Sequence, residues 1–155
     1  MNASENFSLT LVGTGERTTI DELRGGRALV LDLWHTKCTR CPAALEKLND
    51  MASNPSYQSV KFASCALSLG DGNFDLVQDM CADEWDNLTH TFMQVEDKEV
   101  AKTVFGFNAV PFVLLVDTNG IVVAKGDPKT VDYEVILKAS ENMGNLSNST
   151  PAVLT

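Results

Sequence analysis

The sequence predicts an α/β domain in which helices cover both faces of a mixed β-sheet. The run Ala28–Trp34 is almost continuously apolar, which is typical of a strand buried on both faces. Strand and helix patterns alternate through most of the chain. Near its end, Asn119-Gly120 separates two apolar runs, which indicates an antiparallel hairpin. Alternating strands and helices followed by a hairpin predict a sheet with both parallel and antiparallel strand pairs.

The N-terminal third of the chain predicts three elements around that strand. Residues 7–11 alternate apolar and polar side chains, as a short half-buried strand does. Thr19 and Glu22 are spaced as a capping box, which predicts one helical turn closed by the glycine pair that follows. An apolar stripe with helical spacing predicts a longer helix over 38–53, with Pro42 in its first turn.

The rest of the chain is predicted from the same kinds of pattern. We expect strands over 58–67 and 90–95, helices over 74–85, 97–105 and 130–143, and hairpin strands over 111–116 and 121–125. A length of 155 residues suits a single domain, which we place over 1–143. Residues 144–155 are rich in Asn, Ser and Thr, so a disordered tail is expected there.

Composition and charge exclude several classes of partner. The formal net charge is −9 and there is no basic tract, so neither nucleic acid nor a membrane surface is an expected partner. No run approaches the roughly 18 apolar residues of a membrane span. The first residues contain no secretory signal, which favours a cytoplasmic location. Five Asn-x-Ser/Thr sites keep open an exported or organellar protein whose leader has been removed.

A Cys-x-x-Cys pair, Cys38 and Cys41, lies where the buried strand pattern gives way to the helical one. A pair at a strand-to-helix junction indicates a redox dithiol, because this spacing allows the sulfurs to bridge. The helix N-terminus favours a thiolate at the first cysteine. Lys37 and Arg40 add positive charge, and no acidic residue lies between positions 33 and 45. We therefore predict that Cys38 attacks a substrate disulfide and that Cys41 resolves the mixed disulfide.

A metal site is the alternative use of such a pair. A Zn²⁺ site needs about four ligands, whereas Cys65 and Cys81 are isolated and His35 and His90 are far apart in sequence. Neither a metal nor a bound organic cofactor is therefore predicted. The two isolated cysteines are expected to be buried as small apolar side chains.

Four further residues are candidates from their positions alone. Asp32 is the one charge in a buried strand, where an unpaired carboxylate is costly, so a functional acid is favoured over a solvated one. Trp34 either packs the core and borders the site or contacts substrate directly. His35 either tunes Cys38 electrostatically, as Lys37 and Arg40 are expected to do, or lies at the surface. Pro111 is expected to begin a strand rather than interrupt one.

Two blocks of sequence, LVLDLWHTKCTRCP (29–42) and FGFNAVPFVLLVDTNG (105–120), resemble the thioredoxin superfamily, in particular the TlpA and ResA type of thiol–disulfide oxidoreductase. In element order the resemblance covers roughly 7–143. It implies a thioredoxin fold with an N-terminal strand extension and an inserted helix. It also implies that Asp32 relays protons towards Cys41, that Pro111 follows a cis peptide bond, and that Val110 offers its backbone to an extended substrate.

The same blocks depart from the superfamily around the dithiol. Lys37 replaces the usual Trp, His35 replaces a small residue, Thr39-Arg40 replaces Gly-Pro, and Phe112 stands where many members have Thr. The expected function is a dithiol–disulfide oxidoreductase, a monomer that acts on protein or small-molecule disulfides and is recycled by a reductase. The alternatives are a redox-silent interaction module of the same fold and a copper carrier that uses the two cysteines with a histidine.

Overall fold

The computed structural model describes residues 7–140. The strands are β1 (Ser8–Leu11), β2 (Arg17–Thr19), β3 (Ala28–Trp34), β4 (Val60–Leu67), β5 (Thr89–Met93), β6 (Phe112–Val116) and β7 (Val122–Gly126). The helices are α1 (Ile20–Arg24), α2 (Cys41–Ala52), α3 (Asn73–Cys81), α4 (Val95–Phe105) and α5, which covers 134–140. A short 3₁₀ turn, Pro55–Tyr57, follows α2.

The seven strands form one mixed sheet, as predicted, in the order β2-β1-β5-β4-β3-β6-β7. The pairs β3–β4 and β4–β5 are parallel, and the remaining pairs are antiparallel. β3 lies between β4 and β6, and all seven of its residues are buried. This burial on both faces explains why its sequence is apolar without alternation.

Helices cover both faces of the sheet, as the sequence predicted. One core contains Leu31 of β3 with residues of α1 and α4, among them Ile20 and Phe105. The other contains Val30 and Trp34 of β3 with residues of α2, α3 and α5. Successive side chains of a strand point to opposite faces, so Asp32 lies on the same face as Val30 and Trp34, towards α2.

The predicted capping box and hairpin are both present. The Thr19 hydroxyl oxygen accepts a hydrogen bond from the Glu22 N–H at 3.1 Å, and Gly25 ends α1 in the left-handed conformation. β6 and β7 pair as an antiparallel hairpin across the Asn-Gly turn. Within residues 7–140, no helix is long and apolar enough to cross a membrane.

Several element boundaries differ from the predicted ones. α2 begins at Cys41 rather than at residue 38, because the preceding residues form successive turns in which Cys38 donates to the His35 carbonyl and Cys41 to the Cys38 carbonyl. α3 ends at Cys81 rather than at residue 85, because Asp83 and Trp85 adopt left-handed φ angles of 59° and 50°.

Two further differences lie at the two ends of the chain. β2 was not predicted, because three residues are too few to show a strand period. The last helix begins at residue 134 instead of 130. Its predicted end at 143 and the predicted disordered tail over 144–155 lie outside the described residues.

Candidate active site

The Cys-x-x-Cys pair lies at the carboxyl edge of β3 and β4, the central parallel strands, with Cys38 in the loop after β3 and Cys41 as the first residue of α2. This loop is tied to the start of α3 by a buried amide. Asn73 donates from its side-chain nitrogen to the Thr36 hydroxyl at 2.9 Å, and its side-chain oxygen accepts from the Leu69 N–H at 3.1 Å. The loop before the dithiol and the loop after β4 are therefore held together by one side chain.

Cys38 and Cys41 are joined by a disulfide, with their Cα atoms 5.4 Å apart. Cys41, in the first turn of α2, is fully buried, whereas Cys38 is partly exposed. Cys38 is therefore the more exposed residue of the pair. The roles of Cys38 as the attacking and Cys41 as the resolving cysteine stay predictions.

The segment across from the dithiol is Val110-Pro111, and its peptide bond is cis, as the resemblance implied. The carbonyl oxygen of Val110 lies 3.6 Å from the Cys38 sulfur. Val110 is half-buried and Pro111 is buried. The β3–β6 ladder ends at the pair Leu33–Phe112, so the backbone of Val110 lies outside it. A peptide beside Cys38 can therefore reach backbone groups of Val110.

Asp32 is fully buried on the face of the sheet that α2 covers. Neither of its carboxylate oxygens has a hydrogen-bond partner within the described part of the chain. Burial raises the pKa of Asp32 well above its usual value. Burial also raises the pKa of Tyr133, and the charge of Asp32 adds to that effect, so the two groups share this region. Burial thus favours the protonated form of this carboxyl.

Trp34 was predicted either to pack the core and border the site or to contact substrate directly, and the structure places it in the core. Its side chain is fully buried and packs edge-on against Trp85, with ring centroids 6.1 Å apart. A ring with no exposed surface cannot touch a substrate in this form of the protein. The alternative interpretation, that Trp34 packs the core beneath the site, agrees with its burial.

The charges near Cys38 differ from those that the linear sequence shows. Lys37 is exposed, but Arg40 lies 3.5 Å from the carboxylate of Asp127, which the chain brings in from beyond β7. His35 accepts a hydrogen bond from the Lys37 N–H at 3.2 Å. Burial and then the charge of Lys98 lower the pKa of His35, so its ring is neutral near neutral pH. The positive charge around the dithiol therefore comes from lysine and arginine.

The remaining cysteines and His90 do not join the dithiol. Cys65 and Cys81 are free and buried, and burial raises the pKa of these thiols to about 12 and about 11. His90 has its Nδ1 2.6 Å from the Ser64 hydroxyl and its Nε2 3.0 Å from the Trp85 carbonyl oxygen. No group of three His, Cys, Asp or Glu within residues 7–140 could hold a metal. Within the described residues, the copper-carrier alternative therefore has no group of three ligands to support it.

Sequence reasoning missed the residues that reach the site from distant parts of the chain. Asn73, Lys98 and Lys102 come from α3 and α4, and Asp127 comes from the segment after β7. Lys47 of α2 lies on the far side of the site, 5.6 Å from the ring centroid of Tyr133. None of them belongs to a local motif, so no signal in the linear sequence could have assigned them to the site.

Comparison with known proteins identifies the fold. The structure is similar to the thioredoxin domain of a thiol-disulfide oxidoreductase from Bacteroides vulgatus, with a TM-score of 0.67 and 13% identity over 92% of this chain and 97% of that one. It is also similar to a thiol:disulfide interchange protein from Bacteroides sp., with a TM-score of 0.67 and 15% identity over 91% and 90%.

A third similar structure is the exposed lipoprotein thioredoxin of Streptococcus pneumoniae, with a TM-score of 0.63 and 16% identity over 88% of this chain and 98% of that one. Neither a protein-family model nor a curated protein matches the sequence. At these identities the likeness shows the fold, and the chain has the thioredoxin fold.

Proposed function

We propose that this chain is a thiol–disulfide oxidoreductase that works through Cys38 and Cys41. The observation that carries the proposal is the disulfide itself, which joins the partly exposed Cys38 to the fully buried Cys41. That asymmetry is what a dithiol exchange reaction needs, because one sulfur must meet the substrate and the other must wait beneath it. Two of the similar structures are a thiol-disulfide oxidoreductase and a thiol:disulfide interchange protein, which supports the same chemistry.

The reaction would proceed in two exchange steps. The Cys38 thiolate attacks a substrate disulfide, forms a mixed disulfide and releases one substrate thiolate. The Cys41 thiolate then attacks the Cys38 sulfur, which closes the protein disulfide and releases the second substrate thiolate. Two electrons pass from the protein dithiol to the substrate, and the reverse sequence oxidises a substrate dithiol. After it reduces a substrate, the protein is left as the disulfide, and a reductase is required to regenerate the dithiol. We propose that the protein acts as a monomer.

Surrounding residues are proposed to assist each step. The ionised form of buried Asp32, made a stronger base by the burial that raises its pKa, would accept the proton of Cys41 as that thiol becomes a nucleophile, and would return it in the reverse step. Lys37 and Arg40 would stabilise the Cys38 thiolate, and neutral His35 would shape the site beside it. Val110 would pair with an extended substrate through its backbone, next to the buried ring of Pro111.

The compartment is a further part of the proposal. We favour the cytoplasm, in which the unpaired thiols of Cys65 and Cys81 are stable. Export is the alternative, and the description of one similar structure as an exposed lipoprotein gives it weight. Fractionation of cells that express the native gene, with the protein detected by antibody, distinguishes the two locations.

Replacement of the two cysteines tests the activity. In an insulin-type disulfide reduction assay, Cys38→Ser is expected to abolish turnover because no accessible nucleophile remains. Cys41→Ser is expected to accumulate a mixed disulfide with substrate, visible by mass spectrometry and reversed by a small thiol. Cys81→Ser is the matched control and should retain activity, since that cysteine is not part of the pair. Full activity of Cys38→Ser, or inert wild-type protein, would favour the redox-silent interaction module.

A further inference from the structure

A cavity of about 140 Å³ lies beside Val110, on the side of the dithiol that faces α4. Its lining includes the apolar side chains of Leu67 and Phe107, both of which belong to the core. Two lysines of α4, Lys98 and Lys102, also line it. The cavity therefore combines an apolar surface with cationic groups. Both lie next to the backbone of Val110, which is proposed to pair with the substrate. We call it the lysine cavity.

The positive charge of the lysine cavity is only partly compensated. The Lys98 ammonium donates to the Ser68 carbonyl at 2.8 Å, a contact that leaves its charge intact. Lys102 lies 3.5 Å from Glu99, a half-exposed pair of the kind that contributes little. Within residues 7–140, no acidic side chain lines the cavity.

His35 reports the combined field of these lysines. Burial is the largest cause of its lowered pKa, and the charges of Lys98, Lys102 and Lys37 lower it further. Three ammonium groups therefore act on one point beside Cys38. The ring of His35 itself lines the cavity. An anionic group placed there would meet cations that already repel one another, which favours its binding.

A second cavity, of about 290 Å³, lies on the other side of the dithiol and includes Pro111 in its lining. Three cations line it, Arg40, Lys47 and Lys129, against one acid, Asp127. Half of the twelve Lys and Arg residues thus surround the dithiol of a chain with a net charge of −9. The six are Lys37, Arg40, Lys47, Lys98, Lys102 and Lys129.

We infer that the site is built for disulfides in acidic polypeptide segments, with an Asp or Glu close to the substrate cysteine received by the lysine cavity. The inference rests on the proposed function and names its substrate class. A polypeptide fits better than a small disulfide because Val110 offers backbone groups between two cationic cavities. An extended chain advances about 3.3 Å per residue, so residues on either side of the cysteine can reach both cavities.

The inference is tested with pre-reduced protein and excess synthetic peptide in single-turnover reactions. Each peptide contains the same internal disulfide, flanked by Glu in one peptide and by Gln in the other. The protein dithiol supplies both electrons and both protons to the peptide, so no other reductant is needed. Since one exposed ion pair is worth roughly 1.5- to 5-fold, we expect the Glu peptide to react about fivefold faster at low salt. The preference should shrink at about 0.5 M salt, where screening is strong.

Matched variants locate the preference. Lys98→Gln with Lys102→Gln should remove most of the Glu/Gln rate ratio. Lys61→Gln with Lys138→Gln makes the same change in net charge and should preserve the ratio. Both control lysines lie towards the other end of the sheet, where Ser140 of α5 is hydrogen-bonded to Ser59 before β4. Using the ratio cancels any effect of the substitutions on the dithiol itself, and melting curves confirm that both variants are folded.

The outcomes separate this inference from the proposed function. Reduction of both peptides at equal rates, or a ratio that survives in the variant lacking Lys98 and Lys102, would overturn the acidic-substrate inference and leave the oxidoreductase intact. Faster reaction with glutathione disulfide, a small anionic substrate, than with the Glu peptide would overturn the polypeptide assignment. If the protein reduced neither peptide and did not reduce any small disulfide, both the proposed function and the inference would be overturned.

Discussion

Asp32 is a buried acid with no hydrogen-bond partner among the described residues. Burying such a group lowers the free energy of unfolding, whereas burying an apolar side chain would not. The cost is limited because the carboxyl keeps its proton, which is the physical meaning of its raised pKa. We propose that this acid serves the exchange reaction, since Cys41 must lose a proton to attack and an ionised carboxylate can accept it. Proton transfer is thus the proposed reason for an acid in this destabilising position.

This state of Asp32 predicts how stability depends on pH. Because burial raises the pKa of Asp32 in the folded protein, above about pH 4 the unfolded aspartate ionises before the folded one. The unfolded chain then binds fewer protons, so stability falls with rising pH until the folded carboxyl also ionises. The slope has a limit of about 1.4 kcal/mol per pH unit. The Asp32→Asn side chain does not titrate, so the unfolding free energy of this variant relative to wild type should increase from about pH 5 to about pH 8. Urea unfolding of the oxidised protein measures this difference.

The exposed Asp71→Asn is the control for this experiment and should show no such trend. Because all other titrating groups are common to wild type and variant, their contributions cancel in the difference. A stability difference between Asp32→Asn and wild type that stays constant over this pH range would show that Asp32 ionises normally in the folded protein.

The pair between Arg40 and Asp127 places one negative charge among the cations around Cys38. Asp127→Asn removes that charge and should stabilise the Cys38 thiolate. We expect the reduced variant to be alkylated by iodoacetamide roughly twofold faster below neutral pH, the scale of a solvent-exposed charge interaction. Asp50→Asn, near the far end of α2, changes the net charge equally and should leave the rate unchanged. A slower reaction of Asp127→Asn would mean that the aspartate orients Arg40 rather than offsetting it.

At the scale of elements, the dithiol loop depends on a contact with α3. Asn73 is buried and bridges Thr36 in the dithiol loop to Leu69 after β4. A single amide thereby positions the end of β3 relative to the end of β4. Any substrate that enters beside Val110 meets a loop that this contact holds in place.

Removal of this amide should be costly. Asn73→Ala leaves the Leu69 N–H without its acceptor, and the expected loss is about 1–3 kcal/mol in unfolding free energy. Thr36→Val removes only the contact to the dithiol loop and should cost less, about 1 kcal/mol. Denaturant unfolding of both variants measures these losses, and the insulin assay should show a larger loss of activity for Asn73→Ala. Equal stability of Asn73→Ala and wild type would indicate that solvent replaces the amide.

Elements with a regular pattern were predictable from the sequence, and those defined by tertiary contacts were not. β3, the capped helix α1 and the β6–β7 hairpin each have a local cause in burial, capping or turn chemistry. The start of α2 differed because turns in the dithiol loop, set by Cys38 and its neighbours, precede the helix. The dithiol was visible as a motif, but the cations around it come from four separate elements and segments, which no local spacing reveals.

At the scale of the whole molecule, the N-terminal hairpin of β1 and β2 extends the sheet beyond β5. β1 pairs antiparallel with β5 through Leu9 and Met93, and Leu9 is 0% exposed in the core that contains Phe105. The hairpin covers what would otherwise be an exposed strand edge. It is therefore a structural part of the domain, although it lies far from the dithiol in the sheet order.

This integration predicts a long-range effect of a single core substitution in β1. Leu9→Ala should lower the unfolding free energy by about 2–5 kcal/mol, the usual range for a fully buried leucine. Val123→Ala in β7, where the side chain is 39% exposed, should cost far less. If the hairpin and the rest of the sheet unfold as one unit, circular dichroism and tryptophan fluorescence of Leu9→Ala will show the same single transition, shifted to lower denaturant. Activity well below that midpoint should equal that of wild type, because β1 contributes no group to the site. Two separate transitions would mean instead that the hairpin is an appendage whose loss leaves the remaining five strands folded.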